Sequence, residues 1–244
     1  MELTVVIPVY NSERTIGPLV EQLQTALKTK SFEVVLVNDG SHDGSAAVCQ
    51  SLARRFENVR FVSLSRNFGE FNAVLCGLNY ARGNFTAIID DDFQNPPEAI
   101  LTLLDTARTA GFDVAYSRYA EKKHNWFRNA GSALLNYLTT FTLGKPRDLY
   151  LSSFKLISRA VVTEIIRYWG PHPYIDALIF RTTRNVTSVL VPHNARAEGQ
   201  SNYTIRKLIV LFFRILFGDY INKLSASKQP PYLVNESESV LKTP

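Results

Sequence analysis

Cysteine is scarce in this chain of 244 residues, with only Cys49 and Cys76 present. Neither lies in a CxxC or other metal-ligand spacing, and both fall inside apolar, helix-like stretches, so they read as buried thiols and not as chemistry. Long apolar runs are also missing. The most apolar late segment, Leu208 to Phe217, is interrupted by Arg214. It falls short of the roughly 20 residues a membrane-spanning helix needs, so no crossing of a bilayer is expected. The N-terminus enters a strand at once, Glu2-Leu3-Thr4-Val5-Val6-Ile7-Pro8, without the basic stretch and longer apolar region of a secretory signal. Charge of one sign does not dominate: 27 Lys and Arg face 22 Asp and Glu, for a net charge of +5. That balance favours approach to phosphates or an anionic membrane without choosing between them. A hydrophobic content of 45% and a charged content of 20% bound the chain to one catalytic domain around one substantial core, with an attached tail.

Short β-branched runs alternate with helical patterns through the first half. Leu3 to Ile7, Glu33 to Asn38, Val59 to Leu64, Phe85 to Asp90 and Asp113 to Ser117 read as strands. Between them Ile16, Leu19, Val20, Leu23 and Leu27 recur at helical spacing, as do Ala47, Leu52 and Phe56, then Ala73, Leu75, Leu78 and Ala81, then Ile100, Leu103 and Leu104. The rhythm predicts an α/β fold built on a mainly parallel sheet flanked by helices. The second half is less regular: a helix over Asn125 to Leu143, a strand near Ser153 to Ile157, a helix after Ser158 and a strand over Thr187 to Val191 are expected. From Ser225 onward the composition turns polar, which predicts an exposed tail over residues 225–244.

In an open parallel sheet, ligands bind beyond the carboxyl ends of the strands. The polar residues collect there: Pro8-Val9-Tyr10-Asn11-Ser12-Glu13, then Asn38-Asp39-Gly40-Ser41-His42-Asp43-Gly44-Ser45, then Ser65-Arg66-Asn67-Phe68-Gly69, then Asp90-Asp91-Asp92-Phe93-Gln94. Taken singly, Asp39-Gly40 is equally a turn and Asp43 equally a helix cap. Three adjacent carboxylates repel one another, and a cation or donor groups must neutralise them. Hard oxygen ligands together with the Gln94 amide suit Mg²⁺ or Mn²⁺, which bind through one or two carboxylates plus substrate phosphates. Alternation along an extended segment would point Asp90 and Asp92 one way and Asp91 aside.

This ordered series, extended by Asn95-Pro96-Pro97-Glu98, resembles the inverting GT-A glycosyltransferases of glycosyltransferase family 2. Within them it is similar to the polyprenyl-phosphate sugar transferases, the group of dolichyl-phosphate mannose synthase and undecaprenyl-phosphate aminoarabinose transferase. The resemblance covers about residues 3 to 217 and implies a GT-A, Rossmann-like fold. Tyr203 to Tyr220 is apolar on much of its surface with Arg206, Lys207 and Arg214 interspersed, which suits a C-terminal amphipathic helix lying in the headgroup region, or equally a buried core helix. The GT-A domain would occupy 1–224, with a nucleotide-binding half to about 117 and an acceptor half from about 118. The resemblance further implies that Pro8, Tyr10, Glu13 and Asp39, with Asp90 or Asp91, hold the nucleotide sugar, and that Asp90, Asp92 and Gln94 hold the Mg²⁺ or Mn²⁺. Arg118, Arg128 and Ser132 match the segment expected at the acceptor phosphate, and Arg196 and Ser201 belong to a basic loop, His193 to Tyr203, expected to close over the donor and acceptor phosphates. A guanidinium suits that task through its planar fork. His193 is expected to serve as packing or loop support.

An acceptor phosphate is already an anion and needs positioning and charge neutralisation more than a base. A sugar hydroxyl acceptor would need a carboxylate, for which Asp176 is the first candidate and Asp148 the second, a helix cap being the plainer reading of Asp176. The expected function is therefore metal-dependent, inverting transfer from a nucleotide diphosphate sugar to a polyprenyl phosphate, with Asp92, Arg118, Arg128 and Asp176 as candidate catalytic groups. The alternatives are transfer to a sugar hydroxyl in surface polysaccharide synthesis and a non-catalytic nucleotide-binding partner subunit. A sugar-nucleotide-forming nucleotidyltransferase ranks low, because no glycine-rich phosphate loop followed by a basic residue opens the chain. Relatives of this kind often carry membrane helices after the basic loop, where this chain runs from Phe217 into polar sequence. Peripheral association with the cytoplasmic membrane face, directly or through a membrane partner protein, is expected, with no nucleic-acid partner and with homo-oligomerisation left open.

Overall fold

The computed structural model describes residues 1–119, 139–170, 173–194 and 230–241. A seven-stranded sheet runs through them in the order β3-β2-β1-β4-β6-β5-β7. Its strands are β1 (Leu3–Val9), β2 (Phe32–Asn38), β3 (Val59–Ser63), β4 (Phe85–Ile88), β5 (Val114–Arg118), β6 (Lys155–Ser158) and β7 (Val186–Leu190). All run parallel except β6, which lies antiparallel between β4 and β5. The mainly parallel α/β sheet expected from the alternation is present.

Burial on both faces explains why the strands read as unbroken apolar runs. Side chains alternate across a strand. In β1, accordingly, Leu3, Val5, Ile7 and Val9 face one cluster and Val6 the other, and in β2 Val34 and Leu36 part from Val35 and Val37 in the same way. The first cluster is closed by α1 (Ile16–Ala26), α2 (Ser45–Arg55) and α4 (Ala99–Ala110); the second by α3 (Glu70–Tyr80), α5 (Arg159–Ile165) and α6 (Ile175–Thr182). The inward stripe of α2 passes through Cys49, Leu52 and Ala53, leaving Ala47 exposed. Both cysteines are buried, as their apolar settings predict.

Of the helix expected over Asn125 to Leu143, residues 139–143 are helical and 125–138 lie outside the described residues, as does the amphipathic helix expected over Tyr203 to Tyr220. The exposed tail expected over 225–244 is corrected for residues 230–241, which lie along the outer edge of β3. Phe61 and Val240 exchange backbone hydrogen bonds of 3.1 and 2.8 Å, the Asn235 amide donates to the Ser63 carbonyl at 2.7 Å, and the Ser65 amide donates to Leu233 at 2.9 Å. Glu238 accepts from the Ser63 hydroxyl at 2.9 Å. An open edge strand offers a row of unpaired backbone groups. Those groups, together with the burial of Tyr232 to 7% exposure, hold the segment in spite of its polar composition. Because Tyr232 packs into the second core cluster, Tyr232→Ala is expected to lower unfolding free energy by about 3 kcal/mol, read from denaturant midpoints.

Candidate active site

Parallel pairing sets Val9 beside Asn38 and Asn38 beside Ser63, with Ile88 level with Val6, so the loops after β1 to β4 leave the sheet at one end. The first two loops are tied to each other. The Asn11 amide donates to Ser41 Oγ at 3.0 Å, the His42 amide to Asn11 Oδ1 at 2.9 Å, and Gly44 to Glu13 Oε2 at 2.7 Å. Tyr10 is 39% exposed and meets the His42 ring edge-on at 6.4 Å between centroids. Pro8 stands just inside, within β1.

Asp39 joins the second loop to the third. Its carboxylate, 3% exposed, accepts from the Phe68 amide at 2.7 Å and the Gly69 amide at 2.9 Å. Burial pushes its pKa above the usual carboxylate value, the two backbone bonds pulling the other way. Gly40 makes the same junction possible: its φ is +64°, and a Cβ there would lie 2.4 Å from the Arg66 carbonyl carbon and the Asn67 nitrogen. Gly40→Ala therefore combines strained backbone with a backbone clash. It is expected to cost at least about 2 kcal/mol of stability and to weaken nucleotide binding, checked by thermal unfolding with and without a nucleoside diphosphate.

β4 ends at Ile88, two residues before the strand read from sequence, and the acidic residues occupy the turn that follows. Strand alternation does not apply to them there; each carboxylate has its own partner. Asp90 accepts from Ser153 Oγ at 2.6 Å, Asp91 from the Ser12 hydroxyl, and Asp92 from the Gln94 amide at 3.1 Å. Burial, then Asp90 and Asp92, push the Asp91 carboxyl up to about 6 against the lowering bonds from Ser12 and the Tyr10 backbone. Beyond the turn, His193 stacks on Tyr119 with centroids 4.0 Å apart, and the Asn194 amide donates to the Gln94 carbonyl at 2.8 Å. His193 supports the loop, as expected from the sequence.

Asp176 is placed differently from a base open to a cleft. It is 6% exposed in the first turn of α6, ion-paired with Lys155 of β6, and it accepts from the Tyr116 hydroxyl at 3.0 Å. A carboxylate engaged by a buried ammonium and a phenol suits an anchor between helix and sheet, not proton abstraction. The cap expected for it is formed otherwise, since Tyr174 is the N-cap and makes no side-chain capping bond. Asp148 is exposed in the turn before Leu149.

The model of glycosyl transferase family 2 matches residues 4–166, which include all four of these loops. The chain is a family 2 glycosyltransferase. It is 32% identical over 218 residues to an undecaprenyl-phosphate 4-deoxy-4-formamido-L-arabinose transferase of Proteus mirabilis, covering 88% of this chain and 67% of that one. A protein of the same name from Pseudomonas aeruginosa is 33% identical over 217 residues, covering 88% and 64%. Among solved structures, glucosyl-3-phosphoglycerate synthase from Mycobacterium tuberculosis in complex with Mn²⁺, uridine diphosphate and phosphoglyceric acid aligns with a TM-score of 0.66 at 18% identity, covering 88% of this chain and 76% of that one. The same synthase with Mg²⁺ and uridine diphosphate aligns at 0.65 and 17% identity. These last two likenesses show the GT-A fold.

In this glycosyltransferase the predicted residues Tyr10, Glu13, Asp39, Asp90, Asp91, Asp92 and Gln94 lie on the loops at one end of the sheet, with Pro8 just inside in β1. Arg118 is exposed where β5 ends at that same side. Arg128, Ser132, Arg196 and Ser201 lie outside the described residues. The sequence reading passed over Glu70, which opens α3 directly after Gly69. Desolvation by the surrounding protein, then the charge of Asp90, raises its carboxyl pKa against the attraction of Lys155. The available signal was position: Glu70 is the next residue after the Ser65 to Gly69 motif, in the first turn of a helix.

Proposed function

We propose that this glycosyltransferase transfers a sugar from a nucleoside diphosphate sugar to a polyprenyl phosphate, with inversion at the anomeric carbon and with a divalent metal. The observation that carries the acceptor class is the similarity, over 88% of the chain, to proteins named as undecaprenyl-phosphate sugar transferases. On the donor side, Tyr10, Glu13 and Asp39 would hold the nucleotide on loops already braced by hydrogen bonds, so little ordering remains to be done on binding.

The donor set fits a hard divalent cation. Three consecutive carboxylates crowd one turn, and their mutual repulsion contributes to holding Asp91 near 6. Among the described residues no three His, Cys, Asp or Glu side chains form a ready-made cage. Mg²⁺ and Mn²⁺ bind through one or two carboxylates and complete their shell with substrate phosphates. Asp92, with Asp90 and Gln94, would hold the Mg²⁺ or Mn²⁺, and Asp91 would touch the nucleotide. When bound, the cation offsets the charge that develops on a departing nucleoside diphosphate.

Arg118, with Arg128, Ser132, Arg196 and Ser201 by motif position, would orient the acceptor phosphate for in-line attack. That anion needs no proton removed, which accords with a site where Asp176 is already committed to Lys155. Residues 1–117 would form the donor half and 118–224 the acceptor half, at the cytoplasmic face of the membrane. No helix among the described residues is long and apolar enough to cross a bilayer.

The test is a panel of radiolabelled uridine, guanosine and thymidine diphosphate sugars, each incubated with Mg²⁺ or Mn²⁺ and undecaprenyl phosphate in detergent, followed by solvent extraction. Label in the lipid phase with one donor is expected. Metal-stimulated donor hydrolysis without lipid label would contradict the acceptor assignment and point to a hydroxyl acceptor.

A further inference from the structure

The acidic turn is not held by its own backbone alone. Phe93 lies within it at φ 61°, a left-handed conformation that is strained for a residue other than glycine. Something outside must fix the two residues that follow, Gln94 and Asn95. The groups that do so come from the ends of β5 and β7. The Tyr119 hydroxyl donates to Asn95 Oδ1 at 2.7 Å, and Asn95 is 4% exposed, so that bond is shielded from water. Ser117 Oγ stands 3.1 Å from the same hydroxyl. The opposite side of the tyrosine is its ring, which stacks on His193 at 4.0 Å and an interplanar angle of 28°. His193 Nε2 in turn lies 3.4 Å from Gln94 Nε2, and Asn194 binds the Gln94 carbonyl. One side chain thus reaches both residues of the turn, by hydroxyl to Asn95 and by ring through His193 to Gln94. Burial raises the phenol's pKa, so the hydroxyl keeps the proton it donates.

We propose that Tyr119 is a positioning residue that sets Gln94 and Asn95, and with them the carboxylates of the acidic turn, for the metal and diphosphate of the donor. It also ties that turn to Arg118, its neighbour in sequence, whose carbonyl accepts from Val191 at 2.9 Å. Donor and acceptor groups would then be registered through one aromatic ring. The proposal rests on the metal reading above.

The experiment measures Mn²⁺ binding by the loss of free-ion electron paramagnetic resonance signal. Wild type, Tyr119→Phe, Tyr119→Ala, Asn95→Ala and the Tyr119→Phe/Asn95→Ala double variant are compared, with whichever of uridine, guanosine or thymidine diphosphate gives the tightest wild-type complex. Tyr119→Phe keeps the stack and loses the hydroxyl, and is expected to weaken Mn²⁺ binding about fivefold while lowering the melting temperature by no more than a few degrees, because the shielded Asn95 Oδ1 loses its donor. Tyr119→Ala should weaken it further, and the double variant should be no weaker than Asn95→Ala alone. Wild-type affinity in Tyr119→Phe, or additive losses in the double variant, would overturn the positioning role while leaving the metal reading intact. A wild-type protein that binds no Mn²⁺ with any of the three nucleotides would overturn the metal reading, and this proposal with it.

Discussion

Replacing Asp92 by asparagine is expected to lower kcat/KM for sugar transfer by about a thousandfold or more, about 4 kcal/mol of transition-state stabilisation, while the melting temperature stays within a few degrees of wild type. Asp92 Oδ1 accepts the Gln94 amide at 3.1 Å, and an asparagine carbonyl can accept the same bond, so the turn persists and only the charge is removed. Asp92→Ala, which also loses that bond, should be no more active and somewhat less stable. Initial rates measured across a range of Mn²⁺ concentrations provide the check. Turnover retained in either variant would remove Asp92 from the metal site.

The second large effect is on stability. Lys155 and Asp176 are buried to side-chain exposures of 5% and 9%, and each is the other's counter-charge. Removing one partner strands a charge in the interior, so Lys155→Met and Asp176→Asn should each cost about 3–5 kcal/mol in urea unfolding. The double variant should cost clearly less than the sum, because no lone charge remains. Transfer per folded molecule at a permissive temperature should fall less than about tenfold in Asp176→Asn. A general base would behave in the opposite way, with a stable fold and a rate loss of about a hundredfold or more.

The parts legible from sequence were those governed by local pattern. β1 to β4 announced themselves because both faces of the sheet are buried, and the convergence of the polar loops after them followed because parallel strands bring their carboxyl ends together. The antiparallel direction of β6 was not legible, since a run such as Lys155–Ser158 carries the same pattern whichever way it pairs. The docking of 230–241 was hidden for another reason: its main partner is the β3 backbone, which no side-chain composition reveals. Asp176 could be noticed but not interpreted, because its meaning depends on Lys155 and Tyr116, brought to it by other strands. The Tyr119–His193 stack likewise exists only once β5 and β7 lie side by side.

Transfer to a lipid phosphate is tested with matched acceptors: undecaprenyl phosphate and undecaprenol, each with the donor found active and with Mn²⁺. Radiolabelled lipid is expected from the phosphate alone, lost on chelation of the metal and absent with Asp92→Asn. Equal labelling of the alcohol, or labelling that survives both chelation and Asp92→Asn, would contradict it.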